Sequence, residues 1–183
     1  MKPDLRVLAA LTVSVALGVT ACTEPVETPV APGELLELGA DMVQFGMVSF
    51  LTASGVREGR VQADTAYAWN DSSKVALRGM NVVFYDEDGR PRVTITARRG
   101  EMNERTDQMV AREDVVLVVH EDGRRIESPE LHYDPDRDRL WSDSATVQTL
   151  NGRVTRGTSF ESDLEFRNFR LANPRGDIGQ IVF

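Results

Sequence analysis

Three short stretches, Asp88-Gly89-Arg90, Asp122-Gly123-Arg124 and Asn151-Gly152-Arg153, repeat almost the same turn at intervals of thirty-four and twenty-nine residues. Asp-Gly and Asn-Gly are the pairs that a two-residue hairpin turn selects, because both of its central positions need positive φ. Each pair sits between runs rich in Val, Thr, Ile, Phe and Tyr: "GMNVVFYDEDGRPRVTITAR", "DVVLVVHEDGRRIESPELHY" and "ATVQTLNGRVTRGTSF". The spacing predicts a hairpin with a two-residue turn at all three places. Ala63, Ala97 and Ser128 each begin a polar segment that leads to a further crossing, so each unit of about thirty residues holds two strands and two turns. One such unit cannot bury its own apolar face, so the units must stack. The expected fold class is all-β: a flattened sandwich or an open two-sheet roll of repeated antiparallel hairpins.

The apolar residues alternate as strands of such a roll require. Val93, Ile95 and Ala97 alternate with Thr94, Thr96 and Arg98, the pattern of a sheet with one wet side. Met80, Val82 and Phe84 follow it less cleanly, because Val83 and Tyr85 lie opposite. Val115 to Val119 is apolar on both faces. Two readings stay open there: a central strand buried on both sides, or a strand lining an apolar groove between two sheets. Ahead of the strands, residues 34–46 predict a short helix with Leu35, Leu38, Met42 and Phe45 on one side, although two glycines oppose it.

The N-terminus reads as an export signal. Lys2 and Arg6 precede an apolar run from Val7 to Val19, too short and too rich in small residues for a comfortable bilayer span. Val19, Thr20 and Ala21 lead into Cys22, the only cysteine, as in a bacterial lipobox. Cleavage before Cys22 would leave a lipidated residue as membrane anchor; the alternative is an uncleaved anchor helix. A lone cysteine has no disulfide partner and no neighbouring ligand for a metal. Pro25, Pro29 and Pro32 make the following stretch an extended tether. The chain therefore divides into a signal peptide (1–21), a lipidated N-terminus with linker and short helix (22–46), a β domain (47–176) and a tail (177–183).

Chemistry is sparse. A net charge of −8 offers no basic patch for nucleic acid. His120 and His132 have no ligand-spaced partner, and no nucleophile elbow, phosphate loop or zinc motif occurs. Asp134, Asp136 and Asp138 match positions 1, 3 and 5 of a calcium loop, but Arg139 stands where Gly is needed and Ala145 where Glu is needed. Paired carboxylates such as Glu113-Asp114 and Asp86-Glu87-Asp88 read as flanking wet turns, so nothing predicts acid–base work. Neither catalysis, a cofactor nor a metal is expected.

Several of these segments taken together resemble the LptC family, the membrane-tethered periplasmic component of lipopolysaccharide export. The carrying residues are "GVREGRVQADTAY" from Gly55, "LRGMNVVFYDEDG" from Leu77, the long run from Ala97 to Pro135, and the closing "GTSFESD" from Gly157 to Asp163. Glu113-Asp114 departs from a common Gly-Asn, and Ser159 from a common second Gly. A lipobox also stands where the family often has a transmembrane helix.

The resemblance implies a twisted β-jellyroll with a concave apolar interior. Its partners would be lipopolysaccharide, the periplasmic jellyrolls of the inner-membrane ABC transporter, and an LptA-like bridge protein. On this view Met80, Val82, Phe84, Val115, Leu117, Val119 and Phe160 line a groove for lipid A acyl chains. The anchor would hold the chain at the periplasmic face of the inner membrane, although Thr23 after the cysteine leaves the choice of membrane open. The alternatives are a lipidated LptA-like bridge and a β-rich lipoprotein scaffold that binds no lipid.

Overall fold

The computed structural model describes residues 39–176, apart from Ser54 and Asp71 and the side chain of Ala53. Cys22, the expected signal peptide, most of the expected linker and the tail lie outside the described residues. The strands are β1 (Met42–Ala53), β2 (Val56–Ala68), β3 (Lys74–Tyr85), β4 (Pro91–Asn103), β5 (Met109–Val119) and β6 (Arg125–Asp134), then the shorter β7 (Arg139–Ser142), β8 (Thr146–Leu150), β9 (Arg153–Gly157), β10 (Ser159–Ser162), β11 (Arg170–Ala172) and β12 (Arg175–Gly176). They form one antiparallel sheet that meanders from β1 to β6 and then forks. The C-terminal end of β6 pairs with β7, and β10 and β11 follow; its N-terminal end pairs with β8, which leads to β9 and β12.

The helix expected over residues 34–46 does not form where the chain is described. Met42 to Phe45 pair with Ala68 to Thr65 of β2, and the strand begins five residues ahead of position 47. The apolar spacing that suggested a helical face is not a core face: Met42 is 56% and Phe45 68% exposed. Backbone pairing along the sheet edge decides the matter over a weak helical signal that already contained glycines.

Each repeated turn is a hairpin, but only one has two residues. At Asn151-Gly152 both residues have positive φ (50° and 76°) and Leu150 pairs with Arg153. At the first turn only Gly89 is left-handed, the Gly89 N–H donates to the Asp86 carbonyl at 3.0 Å, and the Asp86 N–H donates to the Arg90 carbonyl at 2.9 Å. That is a three-residue loop with a glycine bulge. The Asp86 carboxylate builds it by accepting the N–H groups of Asp88 (3.0 Å) and Arg90 (2.8 Å). At the second turn the loop holds four residues between Val119 and Arg124, again with only the Gly left-handed. Asp122 plays the Asp86 part, accepting from the Arg124 N–H at 2.9 Å. An aspartate that folds back on its own backbone lengthens a loop that the Asp-Gly pair alone predicts to be short.

The polar segments that begin at Ala63, Ala97 and Ser128 mark a second device, a line of kinks that crosses the sheet. Along each long strand the buried positions step by two, then break. They jump from Ala63 to Ala66 in β2, Leu77 to Met80 in β3, Ala97 to Gly100 in β4, Ala111 to Val115 in β5 and Ser128 to Leu131 in β6. By register Gly46, Asp64, Gly79 and Arg98 lie abreast, and a bulge at Glu113-Asp114 and then Pro129 continue the row. Gly46 (φ 60°), Gly79 (φ 64°), Glu113 (φ 65°) and Asp114 (φ 53°) all take left-handed backbone there. A Cβ on Gly79 would also overlap the Asp64 carboxylate, so this kink requires glycine on two grounds.

Bulges and glycine kinks let a strand turn from one layer into another. The result shows in one aromatic pair. By register Tyr133 on β6 is level with Val75 on β3, and Phe84 lies nine residues beyond Val75. A flat sheet would place Phe84 and Tyr133 about 30 Å apart along the strands and about 14 Å across them. Their rings meet edge to face with centroids 4.9 Å apart. The sheet therefore folds over on itself, and the buried residues of both strand halves belong to one core.

Candidate functional site

All seven predicted groove residues point into that single interior. Met80, Val82 and Phe84 stand on β3, Val115, Leu117 and Val119 on β5, and Phe160 on β10. Alternation after the β5 bulge puts its three on the same side as those of β3. The outer residues Val116 and Val118 are half-buried, so β5 is fully covered only on its inner face. The seven are 0–3% exposed, packed against one another and against Val61, Val93, Ile95 and Leu140. The interior is thus apolar and continuous, and it is filled by its own side chains.

At one end the roll opens into a cavity of about 530 Å³ lined by Phe84, Tyr133, Val56 and Leu164 among charged residues. The segment after β10 covers part of this mouth. Asp163 folds that segment by accepting the Arg167 N–H (2.9 Å) and the Asn168 amide (2.7 Å). Leu164, Phe166 and Phe169 pack half-buried on the core, and Phe169 stacks on Phe160 at 6.0 Å. Arg92 pairs with Glu165 at 3.4 Å, and the Arg124 guanidinium lies 4.7 Å from the Phe169 ring centroid. Phe166 has φ 56°, a strained value for an aromatic residue. The closing motif therefore has visible work: Asp163 turns this strap, and a Cβ on Gly157 would come within 2.6 Å of Leu171. Ser159, which stands for a second Gly, pairs with Ala172 and needs no left-handed backbone.

The paired carboxylates Glu113-Asp114 do not flank a turn, as expected from sequence. They form the mid-strand bulge of β5, where Asp114 pairs with Arg98 (2.7 Å) and Glu113 with Arg99 (3.1 Å). Two left-handed residues in succession explain why Gly-Asn suits this place. On the outer face the same bulge lines a wide depression of about 1050 Å³ with Pro129, Ala145 and Val147. His120 sits in its turn with Nε2 2.8 Å from Thr94 Oγ1, and His132 stacks on Trp141 at 5.0 Å. Asp134, Asp136 and Asp138 surround a short 3-10 turn at Pro135–Arg137, and among the described residues no acidic or histidine group has the geometry to hold a metal.

Tyr133 and the strap went unseen in the sequence. The strap's signal was the spacing of Leu164, Phe166 and Phe169 just past the closing motif. The Tyr133 phenol is pushed well above its usual pKa, first by burial and then by the charges of Glu58 and Asp138.

A folded-over antiparallel sheet with an apolar interior and open edges at β1, β11 and β12 defines an open β-jellyroll. A family model described as "Lipopolysaccharide-assembly, LptC-related" matches residues 15–176, and the chain belongs to that family. Among solved structures it is similar to LptH of Pseudomonas aeruginosa, described as the LptA homologous periplasmic component of the conserved lipopolysaccharide transport device. That match has 13% identity and a TM-score of 0.50, and covers 68% of this chain and 87% of the other; it bears on the fold. No curated protein matches the chain.

Proposed function

We propose that this protein is the membrane-anchored periplasmic component of lipopolysaccharide export. It receives lipopolysaccharide from the inner-membrane ABC transporter, shelters the acyl chains in the roll, and passes them to the next jellyroll. The observation that carries this reading is the convergence of Met80, Val82, Phe84, Val115, Leu117, Val119 and Phe160 on one apolar interior inside a sheet with open edges. Hydrating an acyl chain costs about 0.8 kcal/mol per CH₂, so crossing an aqueous space without such a shelter is prohibitive. The chain needs no catalytic group for this task; the energy comes from ATP hydrolysis elsewhere.

Two of these edges, β1 and β11, are the natural docking surfaces. On β1, Phe45, Val48 and Phe50 are 46–68% exposed beside unpaired backbone, which suits strand addition by the transporter's jellyroll. The β11 side would meet an LptA-like bridge protein. Lipidation at Cys22 would hold the domain (residues 47–176) at the periplasmic face of the inner membrane by its Pro-rich linker, and the mass of the mature N-terminus tests this.

One observation favours a second reading, a β-rich lipoprotein scaffold without lipid: the seven side chains already fill the interior. Methyl NMR of the folded protein separates the two. Acylated lipopolysaccharide should shift the Val82, Val115 and Leu117 methyls, while a fully deacylated saccharide of the same structure leaves them in place. Unmoved methyls with the acylated form would favour the scaffold.

A further inference from the structure

The mouth cavity has a chemistry that the interior behind it lacks. Six carboxylates line it (Glu58, Asp86, Glu87, Asp136, Asp138 and Glu165) against two guanidiniums, Arg57 and Arg92. Three of the six are engaged. Asp86 holds its turn, Asp138 accepts the Leu164 N–H at 3.2 Å, and Glu165 pairs with Arg92 and Arg167. Glu58, Glu87 and Asp136 make no hydrogen bond or ion pair among the described residues. Arg92 is already paired with Glu165, and Arg57, whose guanidinium lies over the Phe50 ring at 3.9 Å, offsets only one of the three charges.

Beneath these carboxylates is an aromatic floor. Phe84 and Tyr133 meet edge to face there, and Tyr133 is only 7% exposed. The Tyr133 hydroxyl makes no hydrogen bond among the described residues and is not sealed in the core, so it opens onto the cavity. The negative field of Glu58 and Asp138 reaches that phenol and opposes its ionisation. An aromatic floor under free carboxylates, with a hydroxyl open to the cavity, attracts an organic cation and repels an anion.

We propose that the mouth cavity binds an organic ammonium group on an apolar stem, the cation resting against Phe84 and Tyr133 among Glu58, Glu87 and Asp136, and the stem lying along Val56 and Leu164. The volume of about 530 Å³ is within the range of small-ligand sites. This site does not depend on the interior carrying acyl chains, and it can hold a cation whether or not Leu117 meets lipid.

The probe is octyltrimethylammonium, titrated calorimetrically into the folded protein below its micelle concentration, with octyl sulfate as the matched anion. The cation should bind at one site at least ~10-fold more tightly than the anion, and more weakly as salt rises. Glu58→Gln combined with Asp136→Asn changes two exposed side chains and should cost the cation about fivefold to tenfold in affinity. Tyr133→Phe, which keeps the ring, tests the hydroxyl with trimethylammonium replaced by a primary octylammonium, which alone can donate to it. Equal binding of octyl sulfate would show an apolar pocket without charge selection, and would overturn the proposal. So would no binding, or a double variant that binds the cation as the native protein does.

Discussion

The body of the roll, β2 to β6, and its forked C-terminal part, β7 to β12, are held by different means. The body's strands run 10–13 residues, and their buried faces interlock through one register and one line of kinks. The fork's strands run 2–5 residues, and single contacts place them: Gly157 against Leu171, Asp163 around its turn, Arg124 over Phe169. Long strands spread their specification over many equivalent positions. Short strands concentrate it in a few side chains, so the two regions should differ in local stability and in their response to substitution.

The largest effect expected is Leu117→Ala, at 1% exposure in the middle of the body. It should cost about 2–5 kcal/mol and lower hydrogen-exchange protection in body and fork together. Gly157→Ala should come next, at about 1–3 kcal/mol, because the new Cβ meets Leu171 and the Ala172 carbonyl. Its loss of protection should be confined to β9 to β12; an equal loss in β3 and β5 would abolish the distinction between the regions. Glu113→Gly should run the other way and stabilise by about 0.5–1 kcal/mol, since it relieves left-handed backbone at the cost of a half-exposed ion pair with Arg99.

Titration supplies two smaller tests, one for each end of the pH scale. Tyr133 has a raised pKa, so its contribution is complete below the ordinary phenol value of 10.0 and is lost as pH rises above it. Tyr133→Phe should remove this alkaline loss of stability. Asp86 has a lowered pKa, foremost because the Arg90 N–H donates to it, so its contribution is complete above 3.8 and is lost as pH falls through the lower folded value. Asp86→Asn should flatten the acid limb of the melting curve in that window.

The same contrast explains what was legible in the sequence. The hairpin units, the all-β class and the shared face of Met80, Val82, Phe84, Val115, Leu117 and Val119 follow from alternation, which a sequence displays directly. The polar pairs Asp64-Thr65 and Arg98-Arg99 were visible too, but as interruptions. That they lie abreast and kink one sheet is a matter of register between strands, which alternation within one strand does not contain. Two of the turns came out longer than predicted because Asp86 and Asp122 bind their own backbone. The strap and Tyr133 depend on contacts between residues about fifty positions or more apart, such as Phe84 with Tyr133 and Arg92 with Glu165, and no local pattern announces those. The apolar spacing at Met42 and Phe45 misled for a related reason: it serves an exposed edge strand rather than a core.

The central claim is that the inward face of β3 and β5 is a lipid path. In-cell photo-crosslinking tests it most directly, with a photoreactive residue at Leu117, whose side chain is buried, and at Thr94 as control on the opposite face of β4. A lipopolysaccharide-sized adduct at Leu117 and none at Thr94 is the predicted result. No adduct at Leu117, Phe84 or Phe160, in protein that is folded and at its normal level, would contradict the claim and leave a packed scaffold.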